Sequence, residues 1–100
     1  MQVYNISFQI TPGLQTQWLE WMKNKFIPMV TATNCFEQQH FYEIDVMEDQ
    51  SPTYTLQLFT AIPEKWMEYQ ENLSKPILQE LQATWGEQCF FFITTMRIVN

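Results

Sequence analysis

The sequence predicts an α+β fold, with four strands in one antiparallel sheet and two helices lying on a single face of it. Three observations carry that prediction. Residues 2–10, QVYNISFQI, alternate apolar and polar side chains with the two-residue period of a half-buried strand. Two longer stretches, Leu14 to Phe36 and Pro63 to Gly86, repeat their apolar residues at helical spacing. Two further strand-like runs separate those stretches and one follows them, so the element order is βαββαβ.

In the first strand, Tyr4, Ile6, Phe8 and Ile10 point to one face, and Val3, Asn5, Ser7 and Gln9 to the other. Thr11, Pro12 and Gly13 stop it, with Thr11 placed as a helix cap and Pro12 in a first helical turn. The first helix presents Leu14, Trp18, Trp21, Met22, Phe26, Met29 and Val30 along one side. Pro28 falls inside this pattern, where it has no N–H to donate and its ring crowds the carbonyl of Asn24. A kink or short break is therefore expected near Ile27. Asn34 stands where the helix should end, at a position that favours a left-handed residue.

Residues 35–46, CFEQQHFYEIDV, read as a second strand with imperfect alternation, since Phe36, Tyr42, Ile44 and Val46 share a parity with Gln38 and His40. A bulge or an edge position would account for that. MEDQSP, residues 47–52, reads as a hairpin connection, and residues 53–61 as a third strand with Tyr54, Leu56 and Leu58 opposite Thr55, Gln57 and Phe59. Pro63 and Glu64 suit the first turn of a second helix, whose apolar side is Trp66, Tyr69, Leu73, Ile77, Leu81 and Trp85. Ser74 and Pro76 predict two helical segments, the second capped by Ser74, and Gly86 closes it. Residues 89–99, CFFFITTMRIV, form the last strand and are apolar on both faces. This order is the split pattern of the ferredoxin-like fold, and 100 residues suit a single domain.

Composition narrows the function classes. The chain is 46% hydrophobic and 16% aromatic, too apolar to remain disordered. Its formal net charge of −6 repels phosphate backbones and anionic lipid, and Arg97 is the only arginine, so no nucleic-acid or membrane partner is expected. The chain enters its first strand without a leader, and no window approaches the ~20 apolar residues of a membrane span, so a cytoplasmic location is expected. Cys35 and Cys89 lack metal-ligand spacing and are expected as buried reduced thiols.

Several residues carry a resemblance. WLEWM with Trp18, Trp21 and Met22, IPMV with Ile27, Pro28 and Val30, and TNCF with Thr33, Cys35 and Phe36 resemble an uncharacterised bacterial domain-of-unknown-function family of about this length. Weaker matches follow at Tyr54, Thr60, Ala61 and Pro76. Members of that family often carry His at the position of Phe26 and Gly at that of Asn34. The resemblance implies a fold similar to dimeric α/β-barrel proteins and a homodimer, and implies no activity.

The informative surface is the sheet face opposite the helices, where a candidate ligand or dimer face comprises Asn5, Ser7, Gln9, Phe41, Thr55, Gln57, Phe59, Phe91 and Ile93. Mixed polar and large apolar groups suit neither open water nor a dry core, but they suit a wet subunit interface. His40 is a candidate general base, because histidine titrates near neutrality. Cys35 and His40 are five residues apart, which in a regular strand places them on opposite faces. Dimeric α/β-barrel relatives that degrade haem use an axial histidine on the second helix; Asn5 and Trp66 have counterparts there, but the single histidine is on strand two, so no haem is expected. Glu43, Asp45, Glu48 and Asp49 lack the spacing of a calcium loop, and no metal or other cofactor is expected. The four tryptophans sit at core spacing rather than forming a stacking platform. Three function classes follow: a small homodimeric binding or structural module; a cofactor-independent monooxygenase- or isomerase-like enzyme on a small hydrophobic compound in a dimer cavity; and an adaptor docking protein through a strand edge.

Overall fold

The computed structural model describes residues 1–100. Strands β1 (Gln2–Ile10), β2 (Gln38–Ile44), β3 (Thr53–Thr60) and β4 (Cys89–Arg97) form one sheet in the order β2-β3-β1-β4, with every neighbouring pair antiparallel. The α+β, ferredoxin-like architecture predicted from the pattern is the one present. β1 and β3 are the inner strands, and their alternation reads as expected. Tyr4, Ile6, Phe8, Tyr54, Leu56 and Leu58 are buried under the helices, opposite Asn5, Ser7 and Gln57.

The first helical arm is continuous from residue 15 to residue 31 but changes its winding midway. α1 (Gln15–Trp21) passes into a π-helical turn, Met22–Phe26, and then into α2 (Ile27–Thr31). Ile27 donates its N–H to the carbonyl of Met22, five residues back, so the chain widens just before Pro28. The expected break near Ile27 is thus replaced by a π-turn, which absorbs one extra residue in the helix and leaves Pro28 at the start of the next regular turn.

The second arm repeats the device. α3 (Pro63–Glu68) leads into the π-turn Tyr69–Leu73 and then α4 (Ser74–Trp85), and Ser74 N–H reaches the carbonyl of Tyr69. Ser74 is therefore not a cap. Its hydroxyl donates to the carbonyl of Gln70 at 3.3 Å, a bond back to the preceding turn. Thr11 is not a cap either, because the helix starts at Gln15, and its hydroxyl donates instead to the carbonyl of Gln88 at 3.2 Å. Pro63 and Glu64 do open α3, and Gly86, with φ of 54°, ends α4.

The helices cover one sheet face with a core dominated by rings. Trp18 is fully buried, with ring centroids 5.1 Å from Phe8, 5.0 Å from Tyr54 and 5.9 Å from Phe41. At the other end of the core Tyr69 lies edge-on to Tyr4 at 5.1 Å and to Phe36 at 4.7 Å. Trp21 and Trp85 meet 6.0 Å apart, and both pack against the core. All four tryptophans therefore serve packing, as their spacing indicates.

Asn34 has φ of 57°, in the left-handed region where Asn was expected to replace Gly. Asn34→Val is expected to lower stability by about 1–2 kcal/mol, the cost of a left-handed conformation for a residue with an ordinary Cβ. Asn34→Gly is expected to stay within about 0.5 kcal/mol of the parent. Urea unfolding midpoints measure both, and equal midpoints for Val and Gly would contradict the account.

Candidate functional site

The open sheet face is the candidate site, and strand register decides its membership. On β1 it carries Val3, Asn5, Ser7 and Gln9, and on β3 Thr53, Thr55, Gln57 and Phe59. β2 contributes Gln38, His40, Tyr42 and Ile44, since His40 pairs with Gln57 and Tyr42 with Thr55. β4 contributes Phe90, Phe92, Thr94 and Met96, which pair with Gln9, Ser7, Asn5 and Val3.

Asn5, Ser7, Gln9, Thr55, Gln57 and Phe59 lie where the sequence placed them. Phe41, Phe91 and Ile93 do not. Phe41 is in register with Leu56 and packs on Trp18 and Tyr54, which puts it under the helices. Phe91 pairs with Phe8 and Ile93 with Ile6, so both are on the helix side as well. The strand-two error arises because β2 starts at Gln38, not Cys35. Phe36 enters the core from the preceding loop, so its parity says nothing about Tyr42, and no bulge is needed. For β4 no parity signal existed, because both faces are apolar. The residues missed were Tyr42, Ile44, Phe90, Phe92 and Met96; for Tyr42 and Ile44 a signal was present, in the parity they share with Gln38 and His40.

The face is unevenly exposed. Although nothing covers it in the single chain, Val3 is only 4% exposed and Thr55 9%, and Asn5 and Ser7 are half-buried. On the outer strands Phe90 is 61% exposed, Phe92 49%, Tyr42 47%, Ile44 40% and Met96 38%. Exposed apolar side chains thus line both outer strands of the face, while the central strands carry Asn5, Ser7, Gln9, Thr53, Thr55 and Gln57 together with Val3 and Phe59. On the central strands, Thr55 Oγ1 donates to Asn5 Oδ1 at 2.6 Å, and Asn5 Nδ2 donates to Ser7 Oγ at 3.3 Å. His40 stacks near Tyr42 at 5.9 Å and stands edge-on to Phe59 at 5.4 Å.

None of the chain's eleven acidic and five basic side chains occupies a strand position on this face. Glu43 points to the helix side opposite Tyr54, where its carboxylate adds to burial in raising the tyrosine's pKa. The acidic hairpin falls outside the sheet, and no three His, Cys, Asp or Glu side chains converge as metal ligands do. Cys35 is buried on the core side, so the sheet separates it from His40.

Two concavities lie away from the central strands of the open face. One, of about 260 Å³, sits at the start of β2 beside Val30, Thr31 and Phe36. The other, of about 510 Å³, sits at the start of β4 beside Gln82, Gly86 and Cys89. Burial pushes the Cys89 thiol up to about 11, with the Trp18 side chain opposing the shift in part. Burial likewise raises Tyr69, helped by nearby Tyr4 and Cys35, and raises Tyr4, with the Ser74 side chain opposing the shift in part.

These shifts predict alkaline sensitivity. The folded state prefers the protonated form of each group, so the contribution of Cys89 to stability is complete below its usual value of 9.0 and is lost as pH rises towards about 11. The tyrosines add to the loss above their usual value of 10.0. The urea midpoint is expected to be level near neutrality and to fall from about pH 9 upward. Cys89→Ala should flatten the first part of that fall, and an unchanged slope in this variant would assign the effect elsewhere.

No helix is long and apolar enough to cross a membrane. A family model described as "Domain of unknown function (DUF4286)" matches residues 1–99. No curated protein matches the sequence. Among solved structures, the chain is similar to an ethyl tert-butyl ether d (ethd) family protein from Bacillus halodurans, at TM-score 0.70 and 12% identity over 98% of this chain and 100% of the other. It is also similar to a dimeric ferredoxin-like protein from an uncultured marine organism, at TM-score 0.64 and 10% identity over 100% and 96% of the two chains. SnoaB, a cofactor-independent oxygenase from Streptomyces nogalater, aligns at TM-score 0.62 and 9% identity over 99% and 94%. At such identities the likeness is one of fold.

Proposed function

The chain belongs to the DUF4286 family, which supplies a fold and no assigned chemistry, and from its open sheet face we propose that it is a cytoplasmic homodimer of single-domain subunits acting as a small binding module. The observation that carries this is the absence of charge from a face rimmed by exposed Phe90, Phe92, Tyr42, Ile44 and Met96. Two copies of a −6 chain approach one another at least cost through the surface that holds no carboxylate. Large apolar side chains exposed together mark an interaction surface rather than a solvated one. The dimeric ferredoxin-like neighbour adds a precedent for this fold. Two buried free thiols fit a reducing compartment.

Light scattering across a wide concentration range tests the assembly, with twice the chain mass expected. A monomeric mass throughout would overturn it.

A cofactor-independent enzyme is the second reading, favoured by His40 and Gln57 facing each other across the β2–β3 pair, and by the likeness to a cofactor-independent oxygenase. In that role His40 would take a proton from a bound compound while Gln57 and Asn5 hold its polar edge.

A further inference from the structure

The two edges of the sheet are defended differently. β2, at one edge, carries Glu43 and runs into the acidic hairpin of Asp45, Glu48 and Asp49, charges that keep a further strand away. β4, at the other, holds no Pro and no charged residue from Cys89 to Met96, and its register with β1 runs without a bulge. Its free groups can be named. At the two ends of the β1–β4 ladder, Ile98 donates its N–H to the carbonyl of Met1 and Thr11 donates its N–H to the carbonyl of Gln88, each at 3.0 Å. Even-numbered residues of β4 therefore turn their backbone groups towards β1, and Phe91, Ile93 and Thr95 turn theirs outward. No other strand pairs with β4, so those N–H and carbonyl groups have no partner in the chain.

A concavity adjoins the start of this edge. The space of about 510 Å³ is lined by Cys89, Phe90 and Phe91 of β4 and by Gln82, Gly86 and Glu87 at the end of α4. Phe90 and Phe91 point to opposite faces and β1 fills the inner side, so a space touching both lies along the outer edge. Its charge is negative. Glu87 makes no ion pair, and the 12-residue α4 directs its C-terminal end here with no basic residue in its last turn.

We infer that the β4 edge takes an extended, basic segment of another protein as a fifth strand, with a lysine or arginine side chain seated in this concavity. Backbone pairing supplies the affinity, and the pocket beside the edge supplies the choice of side chain. The aliphatic stem lies along Phe90 and Phe91 while the cationic head meets Glu87 and the helix end. Further along, Phe92 is 49% exposed on one face and Ile93 37% on the other, so β-branched side chains of the segment pack on both. A second copy suits the edge less well, because it brings its own net charge of −6 to the acidic end. The site lies along the edge and needs no homodimer.

The test uses a capped peptide of alternating valine and threonine with one lysine near its C-terminal end, which antiparallel pairing brings beside Glu87. Fluorescence anisotropy on the intact protein is expected to show saturable binding, about three- to tenfold tighter than for the same peptide with glutamate in place of lysine. Glu87→Lys is expected to reverse that order. Methylating the peptide's edge-facing backbone nitrogens is expected to weaken binding at least about fivefold. Backbone amide signals of Phe91, Ile93 and Thr95 are expected to shift on titration of the unmethylated peptide. No saturable binding overturns the site. Equal binding of the two peptides, or an unchanged order in Glu87→Lys, overturns the cation seat, and indifference to methylation overturns the strand pairing. Amides of Ile93 and Thr95 already protected from hydrogen exchange in the protein alone would assign the edge to a second copy and overturn the peptide. Light scattering reads the homodimer separately, so a monomer that binds the lysine peptide leaves this site standing.

Discussion

Phe92→Glu is expected to convert the proposed homodimer into a folded monomer. Phe92 is half exposed on the rim of the open sheet face and makes no part of the helix–sheet core, so the substitution leaves the subunit's packing intact. In the proposed dimer the same position is covered by the second copy. Each dimer then buries two carboxylates on a face that offers no Lys or Arg, and an uncompensated buried charge costs about 3–5 kcal/mol. Even one such term weakens association by roughly two to three orders of magnitude. Light scattering should therefore report the monomer mass at concentrations where the parent is dimeric, with an unchanged far-ultraviolet circular dichroism spectrum. Phe92→Leu, which keeps an apolar rim, is expected to remain dimeric. A Glu variant that still runs at twice the chain mass would show that association uses another surface.

Trp18→Ala is expected to produce the largest loss of stability of any single truncation in the chain. Trp18 is fully buried at the centre of the core, against Phe8, Tyr54 and Phe41. Truncating a buried tryptophan removes transfer free energy and leaves a cavity, together about 3–5 kcal/mol. Against a total of about 5–15 kcal/mol for a small domain, that brings the protein to the edge of unfolding at room temperature. Urea denaturation monitored by circular dichroism measures the effect, and Trp18→Phe, which refills part of the volume, should recover a large share of it. A Trp18→Ala midpoint close to that of the parent would mean that the neighbouring rings collapse into the gap.

The two variants probe opposite faces of one sheet, and the contrast between the faces explains how much was legible from residues alone. Where a strand alternates between apolar and polar, as in Tyr4-Asn5-Ile6-Ser7-Phe8, the pattern states which face is buried. For β1 and β3 it did so correctly, and with them Asn5, Ser7, Gln9, Thr55, Gln57 and Phe59 were placed on the open face. In β4 the run of three phenylalanines carries no such contrast. Only pairing with β1 turns Phe90 and Phe92 outward and Phe91 inward, since a shift of one residue reverses every side chain.

The helices divide in the same way. Their apolar faces, the opening of the second arm at Pro63 and the left-handed Asn34 are local properties, governed by residue spacing and backbone sterics. The π-turns before Pro28 and Pro76 are not. A break and a widened turn both relieve a proline, and packing over the sheet selects the turn that keeps Phe26 and Tyr69 buried in the core.

By itself, then, the sequence determined the order of elements, the buried face of the two central strands and the absence of any concentrated charge for binding phosphate. The tertiary structure alone decided which phenylalanines of β4 stand on the open face. The physical reason is that periodicity encodes burial only where the two faces of an element differ in polarity. Where both are apolar, the partner strand's hydrogen-bond register makes the choice.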